Sequence, residues 1–505
     1  MISRATGLLA LVFAMSACNP TSSMAPTGAA ASPAPGASAV PPPPGATTAP
    51  GSGLAEALGH AISVDDILAD LGELGDIAAT NGGHRAAGSA GYDQAATFVA
   101  DQLRSAGYAV ELQPVDLFAF QEDSPTIIEI VGPDAPPLQD TRDVKAMLLS
   151  PSGDVTGQVF ALGFDPAAQP GDRNGTGCDS ADWAGAPRGV VALVQPGRCP
   201  RRDVVVNAQT AGAMALITAY PEWTPDRVLR PTLLDPDGLT IPAVGVTNDA
   251  GLALLAASRA GAEVHVAVHT TVKRTTSPNV IAETPGGDSA HVVVLGGHLD
   301  SVIDGPGAND NGSGTMTTLE IARELARLRP GGAPWKVRFG FWTGEEVGLI
   351  GSTAYLGALE TAARESIVMY LNLDMLGSPN GVRLVYDASA STHPTEGAAV
   401  AALFGTALDQ AGLAWDSTAV GTSDHAAFDQ WLIPYGGLFA GANERKTDDQ
   451  AARFGGTAGV PADACFHLAC DTIENIDREL LEQLARAAGW VVGRLASGEV
   501  VLSGS

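Results

Sequence analysis

At 505 residues the chain exceeds the length at which a single hydrophobic core stops growing, so two folded units plus tails are expected. Asp and Glu outnumber Lys and Arg 56 to 28, a net charge of -28 that excludes nucleic acid or an anionic membrane surface as a partner, because phosphate binding needs clustered cations. A 45% hydrophobic and 17% charged composition is globular, while 60 Gly and 34 Pro imply many turns and an unfolded stretch.

In chain order, Arg4, the apolar run from Gly7 to Met15, and Ser16-Ala17 before Cys18 read as a lipoprotein signal peptide over residues 1–17. The run is too short to span a bilayer, and the small pair before Cys18 resembles a lipobox, which makes Cys18 the lipidated residue. Ordinary secretion with an incidental cysteine is the alternative. Either reading exports the mature chain; the first makes it a bacterial cell-envelope lipoprotein that meets the membrane only through its lipid anchor. Residues 18–55 are almost wholly Pro, Ala, Ser, Thr and Gly, a tether with too little apolar sequence to build a core.

Residues 56–125 are expected to form the first part of a catalytic domain. Ser63 caps a helix in which Val64, Ile67, Leu68, Leu71, Leu74 and Ile77 recur at helical spacing, with Asp66 as its capping-box partner. A second helix carries Tyr92, Ala96, Val99 and Leu103 and stops at Gly107; an extended segment follows from Val110 to Phe120. Over residues 126–272 the texture changes to short apolar strands, Gly189 to Val194, Ala213 to Ile217 and Ala243 to Val246, between Gly, Pro and Asp turns, which predicts an inserted β-rich domain. His265 and His269 alternate with Val264, Val266 and Val268, so they belong to a strand surface rather than to a zinc-binding helix. The remaining cysteines form two local pairs, Cys178 with Cys199 and Cys465 with Cys470. An oxidising compartment favours their bridging, and they lack the spacing of a structural zinc module.

From 273 to 505 apolar strands alternate with helices, the pattern of an α/β unit with a mixed, largely parallel sheet flanked by helices. The strands Val292 to Leu295, Val337 to Trp342 and Ile367 to Leu373 run into His298 and Asp300, into Glu345-Glu346, and into Asp374. Acids and imidazole thus gather at the C-terminal edge where such sheets bind ligands. Between the first two strands the Gly-rich segment Gly307 to Gly314 can bring Asp310 inward. Paired acids beyond an apolar strand are costly to bury without a cation, and zinc accepts imidazole and carboxylate together.

The motifs His298-Leu299-Asp300, Asn309-Asp310-Asn311-Gly312, Glu345-Glu346-Val347-Gly348, Asn372-Leu373-Asp374-Met375 and Cys465-Phe466-His467, in this order, resemble the dizinc aminopeptidases of clan MH, the zinc-exopeptidase fold. Asn207 to Ala213, the Val190 to Val194 strand and the two nearby cysteines resemble the protease-associated domain. The first resemblance implies two zinc ions per chain: His298 and Asp374 on one, Glu346 and His467 on the other, and Asp310 between them. It implies that Asp300 hydrogen-bonds His298 and fixes its tautomer, and that Glu345 is the general base for a metal-activated water. The expected activity is removal of N-terminal residues from peptides by a monomer. A carboxypeptidase, with Arg445 and Lys446 as candidates to bind the terminal carboxylate, and a non-catalytic receptor are the alternatives. His425, Asp424 and Phe466 are candidates to line the substrate pocket. Some relatives have Tyr where Phe466 stands and Arg where Thr422 stands, so the oxyanion donor of those relatives is absent here and recognition of the substrate end is left open.

Overall fold

The computed structural model describes residues 52–132, 138–166, 176–220, 228–419 and 421–498. The signal peptide, Cys18 and all but the last few residues of the tether lie outside them. Two compact units result, one from Phe120 to Val272 and one from Thr48–Ala119 with Lys273–Ser505. The chain crosses between units inside two long strands, Ala109–Ile130 and Glu263–Glu283, with the borders at 119/120 and 272/273.

In the larger unit the strand order is Asp416–Thr418, Leu384–Tyr386, Tyr435–Phe439, Ile367–Leu373, Asp288–His298, Trp335–Trp342 and the second half of Glu263–Glu283. The four central strands, Tyr435–Phe439 to Trp335–Trp342, are mutually parallel, and the neighbours beyond them run antiparallel. Val292, Val293, Val294 and Leu295 are all buried, as a parallel strand covered on both faces requires. Alternation assigns the faces. Val293 and Leu295 join the core built with the helices Gly314–Leu328 and Arg478–Ala496, whereas Val292 and Val294 join Trp342, Tyr355, Tyr370 and Phe428 on the other side. Each such side chain contributes about 1.5–3 kcal/mol on burial.

Ser63 caps the helix Val64–Thr80 through its hydroxyl, which accepts the Asp66 N–H at 3.2 Å. Ahead of it lies a helix absent from the sequence reading, Ser52–Ala61, with Leu54, Ala55 and Leu58 buried. Residues 52–55 read as the end of the tether because Ser52, Gly53 and Ala55 are small. Here small residues serve close helix packing: a Cβ on Gly493 of the last helix would come within 2.6 Å of Ala55 Cα.

Within the smaller unit the strand order is Glu263–Glu283 (first half), Gly153–Ala161, Val191–Val194, Ala215–Tyr220, Ala243–Thr247 and Val144–Ala146, parallel in the centre. Its cores contain Val191, Leu193, Ile217 and Val244 on one side and Ala192, Val194, Leu216 and Trp183 on the other. The Cys178–Cys199 disulfide lies in this unit and Cys465–Cys470 in the larger one. His265 is on a strand, its Nε2 2.8 Å from Asp154, and His269 is exposed. Among the described residues, no helix is long and apolar enough to cross a membrane.

Candidate metal centre

The parallel register sets the site. Trp342 pairs with His298 and Asn372 with Gly296, so three strands end level with one another at one edge. Two glycines precede His298 because neighbouring backbone comes too close for a side chain: a Cβ on Gly297 would lie 2.5 Å from the Leu373 carbonyl oxygen and 2.8 Å from Asn311 Nδ2. Asp374 follows the last of these strands, and Gly344, at φ 68°, makes the turn that presents Glu345 and Glu346.

The five residues expected to hold metal converge. His298 Nε2 is 3.3 Å from Asp310 Oδ1 and 3.5 Å from Asp374 Oδ1. His467 Nε2 is 3.0 Å from Asp310 Oδ2 and 3.2 Å from Glu346 Oε2. Asp310 therefore gives one oxygen to each imidazole. Donor atoms of His298, Asp310 and Glu346 all lie within 4.8 Å of one another. His467 and Met375, beside Asp374, hold φ of 58° and 52°, a left-handed conformation that costs L-residues energy and persists only where its surroundings impose it.

The electrostatics suit a bound cation. Burial, then the charges of Glu346 and Asp424, raise Asp300 to about 7 against the opposing pull of His298. Burial raises Asp424 to about 7, with Asp374 adding to it. Glu345 stands well above the usual carboxylate range through burial and through Glu346, Asp424 and Asp374. For Asp310 burial acts upward too, but hydrogen bonds from His298 and His467 outweigh it and lower the pKa. Glu346 Oε1 and Asp374 Oδ1 are buried and have no hydrogen-bond partner among the described residues. Buried carboxylate oxygens without hydrogen bonds are costly, and a cation among them removes the cost. The donors, two imidazoles and three carboxylates without thiolate, fit zinc.

Asp300 meets His298 through its backbone. His298 Nδ1 meets the Asp300 backbone carbonyl at 3.0 Å, whereas the carboxylate is 3.8 Å away. The carboxylate instead accepts the N–H groups of Glu345 at 3.3 Å and Glu346 at 3.4 Å. A carbonyl fixes the imidazole tautomer as well as a carboxylate does, which leaves the Asp300 side chain to anchor the turn bearing both glutamates.

Of the pocket candidates, Asp424 and His425 are buried, His425 between Tyr386 and Tyr435 with its pKa lowered to about 4 by burial. Phe466 is half-buried and stacks on His467 with ring centres 3.8 Å apart, and Thr422 is exposed. Arg445 donates to the Gly459 carbonyl, and Lys446, buried, donates to those of Gly381 and Gly455. Backbone acceptors thus engage both cations proposed for a terminal carboxylate.

The sequence reading missed residues that support the site from behind. Ser423 Oγ donates to Asp374 Oδ2 at 2.7 Å and accepts from Asn372 Nδ2 at 3.0 Å, and the line of bonds continues from Asn372 Oδ1 to the Tyr370 hydroxyl and Trp342 Nε1. Arg85, completely buried, donates to the Pro306 and Gly307 carbonyls just before Asp310. Burial lowers its pKa to about 10 against the pull of Asp471, Asp300 and Asp310. Asp471 is buried beside Asp310. Asp471 directly follows Cys470, and Ser423 precedes Asp424-His425, but adjacency to a motif does not reveal a hydrogen bond.

Residues 279–492 match the family model described as Peptidase family M28, and residues 155–254 match the PA domain. An aminopeptidase of Pseudomonas aeruginosa is 36% identical over 446 residues, spanning 87% of this chain and 82% of that protein. The probable lipoprotein aminopeptidase LpqL of Mycobacterium tuberculosis is 36% identical, spanning 88% of this chain and 87% of its own length. The solved aminopeptidase from Aneurinibacillus sp. strain AM-1 superposes with a TM-score of 0.69 at 28% identity, covering 87% of this chain and 95% of that one. With such relatives aligned over most of both lengths, and with strand ends that gather imidazole and carboxylate at one edge, the chain is an enzyme that belongs to peptidase family M28 and carries an inserted PA domain.

Proposed function

We propose that the chain is a zinc aminopeptidase that removes N-terminal residues from peptides, acting as a monomer with two zinc ions. The observation that carries this reading is the Asp310 carboxylate, which turns one oxygen toward His298 and the other toward His467. His298 and Asp374 would hold one ion, Glu346 and His467 the other, and Asp310 both. Bound zinc supplies Lewis acidity, polarising the scissile carbonyl and making water acidic enough to attack at neutral pH. Asp300 ties down the Glu345–Glu346 turn, so Glu346 faces His467 while its neighbour is free to face the substrate. Glu345 takes a proton from the attacking water and returns it to the leaving amine.

The surplus of carboxylate favours a free amine over a terminal carboxylate as the recognised end, and the engagement of Lys446 by carbonyl oxygens argues the same way. The test measures zinc per chain and compares cleavage of free, N-acetylated and C-amidated peptides. Acetylation is expected to abolish cleavage and amidation to spare it; the reverse pattern defeats the aminopeptidase reading. Glu345→Gln should lower kcat by about 10²- to 10⁴-fold and leave zinc content unchanged.

Arg4, the Gly7 to Met15 run and Cys18 support export and lipid anchoring; the mycobacterial relative is itself described as a probable lipoprotein. Cys18→Ser should move the protein from the membrane to the soluble fraction. Membrane retention of that variant would contradict the anchor.

A further inference from the structure

The loop that presents His467 also reaches Asp310. The Cys465–Cys470 disulfide closes it, and the next residue, Asp471, is 1% exposed. Asp471 Oδ1 accepts the N–H of Asn309 at 2.9 Å, Oδ2 accepts the N–H of Asp310 at 3.0 Å, and its backbone carbonyl accepts the N–H of Ala308 at 2.9 Å. One residue therefore grips three consecutive backbone N–H groups. Asp310 (φ -106°, ψ 95°) and Asn311 (φ -124°, ψ 47°) are not helical, so the grip stands in for a helical ladder there. The support behind it is polar as well. Asn475 Nδ2 donates to Asp471 Oδ1 at 3.2 Å and to both oxygens of Asp463 at 3.0 Å, and Asp463 Oδ2 accepts from the Asn309 side chain at 2.7 Å.

We propose that Asp471 is a positioning residue that acts through Asp310, fixing the backbone from which the Asp310 carboxylate reaches both His298 and His467. The proposal rests on the reading of Asp310 as the ligand shared by two metals. A carboxylate placed only to satisfy buried amides would affect stability alone. One that aims a ligand must also set metal affinity, because support behind a ligand is typically worth about 10- to 100-fold in affinity or activity. Asp471→Asn keeps the shape but swaps one accepting oxygen for an amide that meets a backbone N–H with another donor.

The experiment strips metal from wild type, Asp471→Asn and Asp310→Ala, then measures zinc affinity by competition with a chromophoric chelator and records the visible spectrum of each cobalt(II)-loaded protein. Asp471→Asn is expected to weaken zinc binding about 10- to 100-fold, alter the cobalt spectrum and lower kcat with KM within about twofold. Wild-type affinity and spectrum in Asp471→Asn, whatever its melting temperature, overturn the proposal. Asp310→Ala separates the two failures. If it binds zinc like wild type, the shared-ligand reading falls and takes the proposal with it; if it loses zinc while Asp471→Asn does not, only the positioning role falls. Should Asp471→Asn not fold, Asn475→Ala, at a half-buried buttress, decides: a smaller loss of affinity in the same direction supports the role, and wild-type affinity overturns it.

Discussion

Glu283 shows how a single residue makes this protein sensitive to pH away from the catalytic edge. Its Oε1 lies 2.7 Å from Lys336 Nζ and its Oε2 2.5 Å from Arg338 Nη2. Burial pushes its pKa up, but the hydrogen bonds and charges of Lys336 and Arg338 outweigh burial and hold it below the ordinary glutamate value. The folded state therefore binds this proton less readily than the unfolded chain. The stability it adds is complete above the unfolded pKa of about 4.3 and is lost as pH falls through the lower folded value. Glu283→Gln should cost about 1 kcal/mol at pH 7, and the gap should close as denaturant titrations are repeated toward pH 3; a pH-independent gap would remove the ion pair as its cause. At this scale the sequence was most informative about the proposed metal site. His298, Asp310, Glu346, Asp374 and His467 stand in ordered motifs, and the structure brings them together. It was least informative about which atom of a residue makes a bond: Asp300 was expected to hydrogen-bond His298, and does so through its backbone carbonyl while its carboxylate turns elsewhere.

The elements that aim these residues depend on backbones approaching without side chains between them. Gly297 sits where a Cβ would press on the Leu373 carbonyl and on Asn311, so Gly297→Ala must push apart the strand bearing His298 and the strand leading to Asp374. Overpacking of this kind typically costs about 1–3 kcal/mol. Here it should also weaken zinc binding, since in the proposed assignment His298 and Asp374 hold the same ion. Chelator competition on the purified variant checks this, and unchanged affinity would show that the edge tolerates the shift. Strands and long helices were legible from periodicity because buried faces repeat: Val293 and Leu295 to one side, Val292 and Val294 to the other. The helix Ser52–Ala61 was not, because Gly, Ala and Ser read as linker until another helix is seen packed against them.

Across the whole molecule, the separate cores of the two units set where metal loss is felt. All the proposed ligands belong to the unit of Thr48–Ala119 and Lys273–Ser505, whereas Phe120–Val272 has its own apolar clusters. Ligand bound at about 1,000 times its Kd stabilises the fold holding it by about 4 kcal/mol. Chelation should therefore speed amide exchange around residues 290–316, 342–376 and 463–475 while leaving 144–268 at its original rate. Equal acceleration in both units would argue against separate stability. The sequence by itself determined the α/β class, the inserted domain, and the acids and imidazoles gathered at one sheet edge, because these follow from local periodicity and from the order of residues along the chain. Only the tertiary structure decided that Asp471 grips the backbone at Asp310, that Ser423 holds Asp374, and that Lys446 is turned to carbonyl oxygens. Each of these rests on a hydrogen bond between segments far apart in sequence, and no local pattern encodes which acceptor a buried donor will find.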